Sequence, residues 1–230
     1  MIVNNIDVEI YGASVSKKII KPSEILIEKE KRDLITVQTN SEIKLKPMTI
    51  RILFEGQDRD KIKTNISNFM TNLTDEVDIK FKNLSNKFHA YLVDSDVEDT
   101  EFDEWVYLNL TFDCYEYGDE VTETINRTLT KNINVKGNIE TPAIVEITPS
   151  IDLIDLTLRG LDDDPIILKN LKASKKLIVN GEEGTVTVDG ENKFSDTDMW
   201  GFPKLIPGEN TITVDKDSVD ITIKYKPRYV

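Results

Sequence analysis

The strongest pattern in the chain is a strict alternation over residues 105–115. Val106, Leu108, Leu110, Phe112 and Cys114 fall on one side, and Trp105, Tyr107, Asn109, Thr111, Asp113 and Tyr115 on the other. A period of two belongs to a half-buried strand. The first set makes a core face; the second, mixing aromatic and polar groups, suits a face covered by a neighbour. Residues 48–54 read as another strand, ended by Gly56, and residues 77–81 and 88–93 as a hairpin bent at 83–86. Residues 2–10 alternate weakly and predict a strand, with a turn at 11–14. One segment changes period: Ile62, Ile66, Phe69, Met70 and Leu73 recur at helical spacing behind a capping Gln57 or Asp58, which predicts an amphipathic helix over 58–73 with its stripe on a sheet. Apolar runs at 25–27 and 34–37 flank the charged tip Glu28, Lys29, Glu30, Lys31, Arg32 and Asp33, the pattern of a projecting hairpin with a solvated end.

Residues 120–140 are polar and weakly patterned, and Thr141-Pro142 follows them. The expected division lies here: an N-terminal β domain over 1–130 and a C-terminal one over 131–230. Beyond it, strands are predicted at 143–147, 151–158, 166–171, 176–179 and 185–188, with turn signals such as Asn180-Gly181 and Asp189-Gly190 between them. A Pro207-Gly208-Glu209-Asn210 turn then feeds the alternating runs 211–214 and 219–225. Short strands at regular spacing with Asn-Gly and Asp-Gly turns predict a β-sandwich or jelly roll. The expected fold class is mainly β.

A formal charge of −13 with 31% charged residues changes the picture of partners. Such a chain repels nucleic acid and anionic membrane surfaces. Solubility is the simple reading; in a closed ring the same charge would line a lumen through which DNA passes without sticking. The first residues lack the basic start and apolar core of a secretory signal, so synthesis and solubility in a cytoplasm are expected. No apolar run approaches membrane-spanning length.

The chemistry-bearing residues do not converge. Cys114 is the only cysteine and sits in a strand, where a buried structural thiol is expected. His89 is the only histidine, mid-strand and far from any glycine-flanked Ser or Cys, so no nucleophile–base pair is read and no zinc set can be assembled. The acids of 94–104 open like a calcium loop, but Asp99 replaces the required glycine and Trp105 the closing glutamate; a solvated loop between two strands is the expectation. Trp200 and Phe202 are candidates for stacking on a sugar ring, although aromatics beside Gly and Pro more often pin a loop to its core. No cofactor, metal or catalytic residue is expected, and the chain is not read as an enzyme.

Three places together resemble one family. They are the early strand with Tyr11-Gly12; the strand ending Phe54-Glu55-Gly56, its helix, Val77-Asp78-Ile79-Lys80-Phe81 and the strand closing on Cys114-Tyr115-Glu116-Tyr117-Gly118; and residues 177–184 with the end of the chain, 201–214 and Tyr225-Lys226-Pro227-Arg228. In order and spacing the chain resembles the distal tail proteins of siphophages (Dit-like), the hub subunits of tail tips and baseplates. The resemblance implies an N-terminal domain forming a hexameric ring and a galectin-like C-terminal sandwich outside it. It implies partners: other copies of the chain, the tail tube protein, the tail-tip or tail-lysin protein, and receptor-binding proteins anchored on the outer domains. It places the protein at the virion tail tip after synthesis in the host bacterial cytoplasm, without direct nucleic-acid binding or membrane insertion. The hairpin tip 28–33 is then a candidate ring contact, since it can extend pairing at a neighbour's sheet edge. The alternative is a non-catalytic carbohydrate-binding sandwich that uses Trp200 and Phe202.

Overall fold

The computed structural model describes residues 1–32 and 35–230, with the side chain of Arg32 also left undescribed. The chain divides into two units, Met1–Tyr117 with Val230, and Gly118–Tyr229.

The first unit is built on one antiparallel sheet. Its strands lie in the order Ile6–Asp7, Ile2–Val3, Val77–Lys80, Lys87–Asp99, Trp105–Tyr117, Lys46–Glu55 and Ala13–Ile20. The alternation read from the sequence is realised: Met48, Ile50, Ile52 and Phe54 are buried opposite Phe112, Leu110, Leu108 and Val106. The helix Arg59–Met70 lies over this face. Asp58 starts it, its carboxylate accepting from the Lys61 N–H at 2.8 Å. Ile62 and Phe69 are buried, and Leu73 follows in a short 3-10 turn, Thr71–Leu73. Phe69 meets Phe54 at 5.9 Å and Tyr11 at 5.7 Å between ring centroids. Tyr11-Gly12 matters for a steric reason. Gly12 has φ +65°, and a Cβ there would lie 2.7 Å from the Glu55 carbonyl oxygen.

Residues 2–10 are not one strand. Ile2–Val3 and Ile6–Asp7 form a tight hairpin, with Asn4 and Asn5 at φ +47° and +67°, and a 3-10 turn Val8–Tyr11 follows. Two consecutive left-handed residues are what a two-residue hairpin turn requires, and Asn tolerates them. Nor is 94–99 a loop. The strand Lys87–Asp99 continues past an irregularity at Leu92/Asp94, with Asp94, Asp96 and Glu98 opposite Thr111, Asn109 and Tyr107. Backbone pairing and polar side-chain contacts such as Arg51 to Glu98 carry this extension, so its residues need no apolar side.

The second unit is a two-sheet sandwich. One sheet runs Val121–Asn126, Val219–Tyr225, Thr141–Pro149, Leu177–Asn180, Thr185–Val188 and Glu191–Asn192; the other runs Thr130–Val135, Gly208–Val214, Leu153–Arg159, Ile166–Leu171 and Thr197–Asp198. Ala143, Val145 and Ile147 from the first and Leu156, Leu158 and Leu168 from the second share one buried core. The division expected at 130/131 is therefore displaced. Residues 121–126 pair along their length with 220–225, and Thr141 is buried, its hydroxyl donating to the Lys226 carbonyl at 2.6 Å. The polar stretch hides these strands because single inward residues, Ile125, Ile133 and Val135, supply its apolar content. The turn at 207–210 is locked by Asn210: its Oδ1 accepts from the Ile206 N–H at 3.0 Å and its Nδ2 donates to the Ile206 carbonyl at 2.7 Å. Gly181 sits where a Cβ would meet the Pro203 and Ala143 carbonyls at 2.3 and 2.7 Å.

Candidate functional site

The hairpin Ile25–Arg32/Ile35–Ile43 pairs with neither main sheet. Its register sets Ile25 opposite Ile43 and Ile27 opposite Ser41, with an irregularity at Glu28/Lys29. Ile25, Ile27, Ile43, Ile35 and Val37 are all exposed, and so is Leu45 at its base. A lone two-stranded ribbon is marginal in water, and this one keeps its β-branched residues exposed. At the tip, Glu28, Lys29, Glu30 and Lys31 are exposed. Asp33 and the side chain of Arg32 lie outside the described residues, as does Leu34 of the second apolar run.

The sheet face away from the helix carries a cluster of aromatic and charged side chains. The Arg51 guanidinium lies 3.8 Å from the Tyr107 ring centroid and donates to Glu98 at 2.6 Å, while the Asn109 amide donates to the same carboxylate at 3.3 Å. Arg51 Nε is buried without a hydrogen-bond partner among the described residues. Further along, His89 Nδ1 lies 3.1 Å from Asp78 Oδ1 and Nε2 3.5 Å from Glu76, with the Tyr91 and Tyr115 rings against it. The sequence marks one side of this face through Tyr107 and Tyr115. Arg51 and Glu98 escape notice because only the register brings 51, 98 and 109 together.

The remaining candidates separate. Cys114 is buried, its thiol donating to the Lys46 carbonyl at 3.3 Å, and burial pushes its pKa up to about 12. Such a thiol is no nucleophile at neutral pH. The acids of 94–104 gather no group of metal-binding side chains, and among the described residues no such group occurs. Trp200 is 90% exposed, whereas Phe202 is partly buried against the core and meets Phe194 at 6.0 Å. The structure does not bring the two together as a stacking pair. No described helix is long and apolar enough to cross a membrane.

Residues 136–229 match the family model described as siphovirus-type tail component, C-terminal domain. The matched residues lie within the C-terminal unit. The fold of the whole chain agrees with it: the crystal structure of the SPP1 Dit (gp 19.1) protein, a paradigm of hub adsorption apparatus in Gram-positive infecting phages, superposes with a TM-score of 0.81 at 14% identity, covering 100% of this chain and 98% of that one. Chains of the phage P2 baseplate in its activated conformation, with Ca and with Sr, each give 0.56 at 14% identity over 95% of this chain and 92% of theirs. No curated protein matches. The chain thus has the fold of the SPP1 Dit protein and is mainly β.

Proposed function

We propose that this chain is the distal tail, or baseplate hub, subunit of a siphophage or a related tail-like particle. Copies close into a hexameric ring through the N-terminal unit. The ring joins the tail tube to the tail-tip or tail-lysin protein, and the galectin-like C-terminal sandwiches stand outside it, where they can hold receptor-binding proteins. The observation that carries this reading is the end-to-end agreement of fold with a hub protein, covering 100% of the chain. Two features of the surface support it. The hairpin with Ile25, Ile27 and Ile43 exposed offers apolar area and a free edge to a second copy. The face bearing Arg51, Tyr107 and Glu98 is aromatic and charged, the composition of a surface that another protein covers. The formal charge of −13 suits a lumen that lets DNA pass. In this account the protein is made in the host bacterial cytoplasm and ends at the virion tail tip.

The test is association. Sedimentation of the purified chain with and without the hairpin should give closed rings for the intact protein and smaller species for the deletion. Intact rings from the deleted chain would exclude the hairpin as the ring contact. The second reading, sugar recognition, rests on Trp200 alone, a solvated indole of the kind that stacks on a sugar ring. A glycan array that stays silent for the wild type removes it, and a hit abolished by Trp200→Ala establishes it.

A further inference from the structure

Two recesses meet at one edge of the N-terminal sheet, and Lys17 lines both. The strand Ala13–Ile20 ends the strand order on one side. The sheet curls until this edge approaches the segment after Val77–Lys80. There the Lys18 ammonium donates to the Asn83 side-chain oxygen at 2.6 Å and lies 4.1 Å from the Phe81 ring centroid. The gap between them is a recess of about 300 Å³, lined by Val15, Lys17, Lys18, Phe81, Lys82 and Asn83 among others. On the face away from the helix, Lys17 also lines a recess of about 270 Å³ with Ile19, Thr49, Arg51, Glu98 and Asn109. Sharing Lys17, the two run into one another over the sheet edge as a single groove.

The groove is not charge-balanced. Its lining holds four cationic side chains, Lys17, Lys18, Lys82 and Arg51, and one carboxylate, Glu98. Glu98 answers Arg51 at 2.6 Å, and Asp7 and Glu9 answer Lys82 at 3.2 and 2.5 Å. Among the described residues, Lys17 and Lys18 have no carboxylate within ion-pair distance. Lysine on a sheet edge commonly serves to keep other edges away. Exposed Lys17 fits that role alone. Lys18 does not, because it rests on a ring and a neutral amide, and burial lowers its pKa. A partly desolvated ammonium is costly without a counter-charge. Arg51, in the wall of the second recess, also keeps its Nε without a hydrogen-bond partner among the described residues, so its guanidinium has donor capacity that Glu98 does not use.

We infer that this groove takes an acidic, extended segment of a partner protein, its carboxylates at Lys17 and Lys18 and its apolar side chains against Val15 and Ile19. Two recesses joined at one residue suit a run of chain better than a compact molecule. An extended chain turns every second side chain to one surface, so acids alternating with apolar residues meet both the ammonium groups and the apolar patches. The chain as a whole carries a formal charge of −13, but here the local sign is reversed, and complementary charge selects the partner. The inference rests on the reading of the Arg51 face as a surface that another protein covers, and it adds the chemistry of what covers it.

Fluorescence anisotropy of a short labelled peptide alternating Asp with Val, titrated with the full chain, tests it. The same peptide with Asn for Asp, and free succinate as a competitor, are the comparison probes. Saturable binding of the Asp peptide that weakens as salt rises is expected, with none for the Asn peptide and affinity about tenfold or more lower in Lys17→Gln/Lys18→Gln. Equal binding of the two peptides, no saturation, or an unchanged affinity in the double variant would overturn the proposal. So would succinate displacing the peptide when present at the same concentration, since that assigns the groove to a small free acid. Sedimentation of the same samples keeps this inference apart from the ring. Peptide binding by a chain that stays single supports the groove and counts against the ring; rings from a chain that ignores the peptide overturn the groove and leave the ring standing. A double variant that loses self-association yet keeps the peptide would assign the lysines to a contact between copies and overturn the proposal. Should Lys18→Gln unfold the chain, Lys17→Glu at its exposed position reads the same charge.

Discussion

Replacing Ile25, Ile27 and Ile43 by serine separates folding from assembly. These side chains are 61, 47 and 49% exposed, and none belongs to the core cluster beneath the helix. Full burial of such a side chain contributes about 1.5–3 kcal/mol, so closing the exposed half of each against a neighbour contributes roughly 1 kcal/mol. Three of them amount to about 3 kcal/mol per hairpin contact, or about two decades in Kd. The core formed by Met48, Ile50, Phe54 and Phe69 is untouched, so the thermal midpoint of the dissociated chain should hold while association weakens. Sedimentation velocity over a concentration series measures the first quantity and circular dichroism on heating the second. Unchanged association would remove the hairpin from the contact. A marked fall in the midpoint would place the three isoleucines in a core and refute the reasoning from exposure.

Other outcomes follow from the same structure. Phe69→Ala should destabilise the N-terminal unit by about 3–5 kcal/mol in denaturant unfolding, because it removes a buried ring from between Phe54 and Tyr11. Cys114 should not react with a disulfide reagent at neutral pH until the chain unfolds, since burial keeps its thiol protonated; rapid reaction in the native state would contradict its placement. Glu146 accepts from Lys176 at 2.7 Å and from Lys224 at 2.5 Å, which hold its pKa below the ordinary 4.5. Its contribution is therefore full above pH 4.5 and is lost as pH falls through the lowered value, so Glu146→Gln should make the acid limb of the stability curve shallower.

How much of this was legible beforehand depended on where burial writes a pattern. The strands at 48–54 and 106–114 bury every second residue to completion, and the helix buries Ile62 and Phe69 on one stripe, so the periods of two and 3.6 were readable. The extension 94–99 leaves Val97 exposed and buries no apolar residue, so its acids looked like a loop. The strand 121–126 closes an edge of the sandwich with Val121 and Ile125 as its only apolar residues, which moved the expected division past it. Phe202 packs against the core while Trp200 stands in solvent, a difference that burial alone decides and that two aromatics in one loop do not announce.

The central claim is that this chain works as a self-associating building block. Native mass spectrometry of the purified protein, alone and mixed with a tail tube protein and a tail-tip protein, measures it most directly, with electron microscopy of the same sample for shape. A closed ring of identical copies, alone or on a partner, is the predicted result. A chain that stays single at every concentration and binds neither partner contradicts the account.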